Sequence, residues 1–138
     1  MRYYHKYNAN PSHKNADDCV VRALSVVLDL PWETVYKTLC DYGLKIHRMP
    51  NEKEVFIQLI KLYGLTRVPK WKRHLYLKDV TKWCRQNKID AIVYNTSHCV
   101  GIKDGQFHDT WDSSYETVAE IYLKLPENVK VTRLKFEV

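Results

Sequence analysis

No run of about 18 apolar residues occurs anywhere in the 138-residue chain, which excludes a membrane-spanning helix. The opening Met1-Arg2-Tyr3-Tyr4-His5-Lys6 also lacks an apolar core of signal-peptide length, so no secretion signal is read there and a cytoplasmic location is expected. Low-complexity tracts are missing as well. The four cysteines (Cys19, Cys40, Cys84 and Cys99) form no C-x-x-C pair and no regular framework, which predicts reduced thiols rather than a disulfide scaffold. His5, His13, His47, His74 and His108 share no spacing with those cysteines of the kind zinc ligands need, so neither a metal nor a cofactor is expected. Asn95-Thr96-Ser97 matches a glycosylation acceptor, but without a secretory route the match is chance.

What is present is an ordinary globular composition, 45% hydrophobic and 28% charged, at a length that suits one domain over 1–138. The formal charge is +6, from 22 Lys and Arg against 16 Asp and Glu. Such a balance permits attraction to nucleic acid or to an acidic partner protein. The basic residues are spread out, however, and the densest cluster, Lys70-Trp71-Lys72-Arg73-His74, is short. That makes nucleic acid the weakest of the partner readings.

Residues 1–16 read as an extended, polar leading segment. A first helix over about Asp18 to Asp29 follows from Val20, Val21, Leu24, Val27 and Leu28, with apolar surface on nearly all sides, as a central buried helix has. A second covers Pro31 to Tyr42, burying Trp32, Val35, Tyr36 and Leu39, with Gly43 as its stop. A third opens at Pro50–Glu54 and runs to Gly64, with Val55, Ile57, Leu59, Ile60 and Tyr63 alternating with polar groups. The second half changes period. Leu65–Val68 is a short strand candidate and Leu77 to about Asn87 a short helix. Asp90–Asn95, His98–Ile102, Gln106–Trp111, Val118–Leu123 and Val129–Val138 read as strands. The expected fold is α+β, with N-terminal helices packed on a C-terminal antiparallel sheet.

Two features of this layout carry chemistry. The first is Cys19 behind Asp17 and Asp18 at a helix start. Asp is a favoured N-cap, and a thiol at the positive helix end has its thiolate stabilised. The second is the Asp104-Gly105 hairpin signal. Centring a two-residue turn there pairs Lys103 with Gln106, so paired positions sum to 209 and Val100 faces Asp109. Period-two alternation then puts His98, Val100, Asp109 and Trp111 on one face. Asp109 sits diagonal to His98, close enough to orient an imidazole. Asp112 has the opposite parity and joins only through a bend or bulge.

A cysteine nucleophile needs a base, and the base needs a third group to fix its orientation. Cys19, His98 and Asp109 supply the three types. The Cys19 backbone N–H is a natural oxyanion donor, with Asn15, Asn10 or His13 as the second. The plain alternative makes Cys19 a packed helix-face residue, Asp17 and Asp18 mere caps, and Asp109 a solvated edge residue.

The segments Asp18-Cys19-Val20-Val21-Arg22-Ala23-Leu24, Pro31-Trp32-Glu33-Thr34-Val35-Tyr36 and Met49-Pro50-Asn51 resemble small papain-like proteins of phages, prophages and Gram-positive bacteria. So do Ser97-His98-Cys99-Val100-Gly101-Ile102-Lys103-Asp104-Gly105 and Asp109-Thr110-Trp111-Asp112-Ser113-Ser114. These proteins are similar in layout to the bacteriocin-processing C39 peptidases, and the resemblance spans roughly residues 8 to 114. It implies a papain-like fold with Cys19 as nucleophile, His98 as base and Asp109 as orienting acid. C39-type enzymes carry a glutamine about six residues before the nucleophile, where this chain has His13, with Asn15 as a substitute. The implied activity is a thiol hydrolase cleaving a peptide, isopeptide or related amide of a protein or peptide substrate. The alternatives are an inactive scaffold binding a host protein as a phage-encoded inhibitor, acting in the host cytoplasm, and a basic nucleic-acid binder.

Overall fold

A computed structural model describes residues 2–69, 71, 73–95 and 97–126. In chain order the elements are β1 (Tyr4–Lys6), α1 (Cys19–Leu28), α2 (Trp32–Ile46), α3 (Lys53–Leu62), β2 (Thr66–Arg67), α4 (Leu77–Asn87), β3 (Asp90–Tyr94), β4 (Cys99–Lys103), β5 (Gln106–Asp109) and β6 (Glu120–Lys124). The strands form one sheet in the order β1-β5-β4-β3-β6-β2. The strand expected over Val129–Val138 lies outside the described residues. No helix among the described residues is long and apolar enough to cross a membrane.

The α+β reading holds, with two corrections to the arrangement. The sheet is mixed rather than antiparallel, because β1 pairs parallel with β5, Tyr4 opposite Phe107 and Lys6 opposite Asp109. The polar leading segment therefore contributes an edge strand of its own. The helices also divide between both faces of the sheet. Val20, Val21, Leu24 and Val27 of α1 pack with Val35 and Leu39 of α2, with Phe56 and Leu59 of α3, and with Ile92, Cys99 and Tyr122 from the strands. The alternate strand residues Ala91, Val93, Val100, Ile102, Phe107, Ile121 and Leu123 pack instead with Val80, Trp83 and Cys84 of α4. Side chains of successive strand residues point to opposite faces, so a sheet covered on both sides buries nearly every position of its central strands. The four N-terminal residues of β4 are all buried, as this requires.

Helix α1 is the central helix its composition predicts, with none of its ten residues exposed. It ends at Asp29, which adopts the left-handed conformation at φ 57°. Its approach to β4 depends on Gly101. A Cβ there would lie 3.0 Å from the Ala23 carbonyl oxygen and 3.0 Å from Val27 Cγ2. Gly101→Ala is therefore expected to lift α1 off the sheet and cost about 1–3 kcal/mol, the usual range for overpacking. Urea unfolding of the variant measures the loss.

Helix α2 continues past its expected stop. Gly43 is a buried residue inside the helix, where a Cβ would collide with the Arg48 carbonyl, and the left-handed cap is His47 at φ 59°. The helix thus needs glycine for close approach of the following chain, which turns back so that the Arg48 N–H donates to the Gly43 carbonyl at 2.9 Å. Tyr36 is not buried as expected: it is exposed and stacks on half-buried Trp32 at 5.1 Å. In α3 the core residues are Val55, Phe56, Leu59 and Ile60, while Tyr63 at the helix end is exposed.

The hairpin forms as its turn residues dictate. Lys103 pairs with Gln106, Ile102 with Phe107 and Gly101 with His108. Asp104 and Gly105 both have positive φ, 52° and 75°, as a type I′ turn requires.

Candidate active site

Cys19 is half-buried and is the first residue of α1, at the helix end whose first N–H groups lack intrahelical acceptors. The expected cap is absent. Asp18 occupies the N-cap position but makes no side-chain cap hydrogen bond. Its carboxylate is buried and engaged elsewhere: it accepts from Arg22 Nε at 2.9 Å, Trp32 Nε1 at 3.0 Å and Asn10 Nδ2 at 3.3 Å. One donor, Arg22, is local to α1, and the other two tie the helix start to α2 and to the leading segment, which a local cap would not do.

His98 lies just before β4. Asn95 holds it there: the Asn95 side-chain oxygen accepts from the Ser97 N–H at 2.9 Å and the His98 N–H at 2.6 Å, and the Asn95 N–H donates to the His98 carbonyl at 2.9 Å. The ring's Nε2 is 2.7 Å from Asp109 Oδ2, and the Cys19 thiol lies close enough to the ring for the two groups to shift each other's proton affinity. Trp111 lies beside the ring with centroids 5.6 Å apart.

Asp109, at the end of β5, is 1% exposed. It accepts from four groups: His98, Ser113 Oγ at 2.6 Å, the Thr110 N–H at 2.8 Å and Arg22 Nη1 at 3.4 Å. His98 and Asp109 thus meet as the hairpin register predicts, and Cys19 at the start of α1 lies beside the His98 ring.

The electrostatics of the three groups follow from these contacts. Burial pushes the Cys19 thiol up, but the His98 hydrogen bond, the Cys99 backbone N–H and the charges of His98 and Arg22 outweigh it, leaving the thiol below its ordinary pKa. Burial pulls His98 down, yet its hydrogen bonds to Asp109 and Cys19 and their charges raise it to about 9. For Asp109, burial raises the carboxyl, and the bonds from His98 and Ser113 outweigh burial and lower it. The shifts of Cys19 and His98 oppose each other in the sense that favours thiolate and imidazolium over thiol and imidazole. Cys84 and Cys99 are shifted the other way: burial raises both thiols.

A cleft of about 410 Å³ opens on this group, with Asn15, Asp17, Asn51, Ser97 and Trp111 among its walls. A larger groove of about 520 Å³ lies beside β1 and the C-terminal end of α1 and contains His5 and His108 but no thiol. The reactive chemistry places the candidate site in the smaller cleft.

The other residues expected at the site divide. Asn15 lines the cleft and His13 does not: His13 is exposed, with φ 50°, and its N–H donates to the Asn10 carbonyl. Asn10 is buried, and its amide is engaged with Asp18 and the Ser12 N–H. Asp112 is exposed and accepts from the Ser114 N–H and hydroxyl rather than from His98. Reading the sequence missed Arg22, Ser113 and Asn95 as parts of the site. The i,i+4 spacing of Asp18 and Arg22 was a usable signal for the first. Among the described residues no three of His, Cys, Asp and Glu are grouped to hold a metal ion. No family model matches the chain, nor does any curated protein or solved structure.

Proposed function

We propose that the protein is a thiol hydrolase of papain-like fold that cleaves a peptide, isopeptide or related amide bond. The observation that carries this reading is the position of His98, bonded through Nε2 to buried Asp109 and lying beside the Cys19 thiol, whose proton affinity it lowers. In this reading the Cys19 thiolate attacks the substrate carbonyl carbon, and the carbonyl π electrons move to the oxygen. That oxyanion is received by the Cys19 backbone N–H and the Asn15 side chain, whose residues line the cleft. The tetrahedral adduct collapses as His98 Nδ1 gives its proton to the departing amine, leaving a thioester on Cys19. Water then loses a proton to His98 and attacks the thioester, releasing the acid and restoring the thiolate–imidazolium pair. Asp109 stays ionised throughout and holds the ring in its tautomer.

Alkylation with iodoacetamide followed by peptide mapping tests the reading. Cys19 is expected to be modified at least about tenfold faster at neutral pH than Cys40, Cys84 or Cys99, because the reactive species is the thiolate. Equal, slow modification of all four overturns it.

A further inference from the structure

Arg22 lies one helical turn after Cys19 and connects two carboxylates that are both buried. Its Nε is 2.9 Å from Asp18 Oδ1 and its Nη1 is 3.4 Å from Asp109 Oδ1, while its own side chain is 12% exposed. The titratable groups around it come from every neighbouring element: Asp18 and Cys19 from α1, His98 and Cys99 at β4, and Asp109 from β5, with Tyr4 of β1 facing Asp109. Arginine is the only fixed cation in that set, since its guanidinium does not lose its proton in proteins.

This has a consequence for the proton cycle. Asp109 is 1% exposed, and while His98 is imidazolium the two charges compensate. Once His98 gives its proton to a leaving group, Asp109 would be left as a buried anion without a cation, a state that is costly and drives the carboxylate to recapture a proton. The Ser113 hydroxyl and the Thr110 N–H help as neutral donors, and among the described residues Arg22 is the cation besides His98 that is ion-paired with Asp109. We infer that Arg22 is a positioning residue whose permanent charge keeps Asp109 ionised and the Cys19 thiolate favoured across the whole cycle, independently of the proton on His98. The Asp18 bond gives the guanidinium its aim, because Asp18 is itself fixed by Trp32 and Asn10.

The inference rests on the thiolate–imidazolium reading of the proposed function, and one experiment separates the two. The pH dependence of Cys19 alkylation is measured for the unaltered protein, Arg22→Gln and Arg22→Lys. Removing a nearby cation disfavours the thiolate, so Arg22→Gln is expected to move the alkylation midpoint to higher pH by about one unit. Arg22→Lys keeps the charge but cannot grip both carboxylates, so its midpoint is expected to stay within about 0.3 unit of the original while its stability falls. A packing role alone would lower stability in both variants and leave both midpoints in place. An unmoved midpoint in folded Arg22→Gln overturns the inference. So does a full-unit displacement in Arg22→Lys, which decides the matter alone if Arg22→Gln does not fold. A midpoint in the unaltered protein at the value of an ordinary thiol instead sinks the thiolate–imidazolium reading itself.

Discussion

Asp109→Ala is expected to cost about 3–5 kcal/mol of folding stability, the usual result of removing one partner from a buried ion pair. The reason is the number of donors that lose their acceptor together. His98, the Ser113 hydroxyl, the Thr110 N–H and Arg22 all point at this one carboxylate, which is 1% exposed. Against a total of about 5–15 kcal/mol for a typical domain, that loss is large enough to read directly from urea unfolding. Asp109→Asn separates stability from chemistry. The amide keeps the volume and an acceptor oxygen, so the fold suffers less, but it carries no charge to hold the imidazolium. Turnover of an amide substrate is then expected to fall by about a hundredfold or more, the scale of a general acid–base contribution.

The acid limb of the stability curve gives an independent check. The folded pKa of Asp109 lies below its ordinary 3.8, because the hydrogen bonds from His98 and Ser113 outweigh burial. Its ionised form therefore stabilises the fold at pH values above the unfolded carboxyl's, and that contribution disappears as pH falls through the folded value. Asp109→Asn removes the contribution at every pH. The variant is expected to be less stable at neutral pH yet to lose less on acidification. Parallel curves for the two proteins would show that Asp109 does not titrate as a stabilising anion.

How much of this site is legible in the sequence depends on whether the contact is local. The Asp104-Gly105 turn sets the register of β4 and β5 by itself, since two residues of positive φ admit one pairing, and that register brings His98 and Asp109 together. The helix start at Cys19 is likewise local. Arg22 and Asp109 are 87 positions apart, and no pattern of apolar residues encodes their contact. Asp18 reads as a cap because Asp at a helix start usually is one, and the structure has no such cap bond. Trp32 and Asn10 draw its carboxylate away, and both arrive through tertiary packing. Edge strand β1 is three residues long and gains its partner about a hundred positions later, so it leaves no alternation to read. The second helical layer was missed for a similar reason. Strands buried on both faces, as β3 and β4 are, show a continuous apolar run, and Ala91-Ile92-Val93 is such a run. Read with that rule, it calls for a helix on each side.

The same distinction between local and tertiary causes bears on what His98 does to Cys19. A helix N-terminus alone favours a thiolate, and Cys19 would keep that position in His98→Ala. Burial, however, is the largest single influence on the thiol and acts upward; the His98 hydrogen bond is the largest acting downward. Removing the ring also removes the cation, so the downward influences that remain are the Cys99 N–H and Arg22. His98→Ala is therefore expected to slow Cys19 alkylation at pH 7 by about an order of magnitude or more, with a midpoint moved to higher pH. In the unaltered protein the imidazolium persists until pH rises through about 9, because Asp109 and Cys19 hold its proton against burial. The stability that this raised pKa contributes is fully present below the ordinary histidine value of 6.5 and is lost as pH approaches about 9. His98→Ala should thus be less stable than the unaltered protein at pH 6 and close to it above that limit. If alkylation is unchanged in His98→Ala, the helix start and Arg22 activate the thiol without the ring, and His98 has no part in forming the nucleophile.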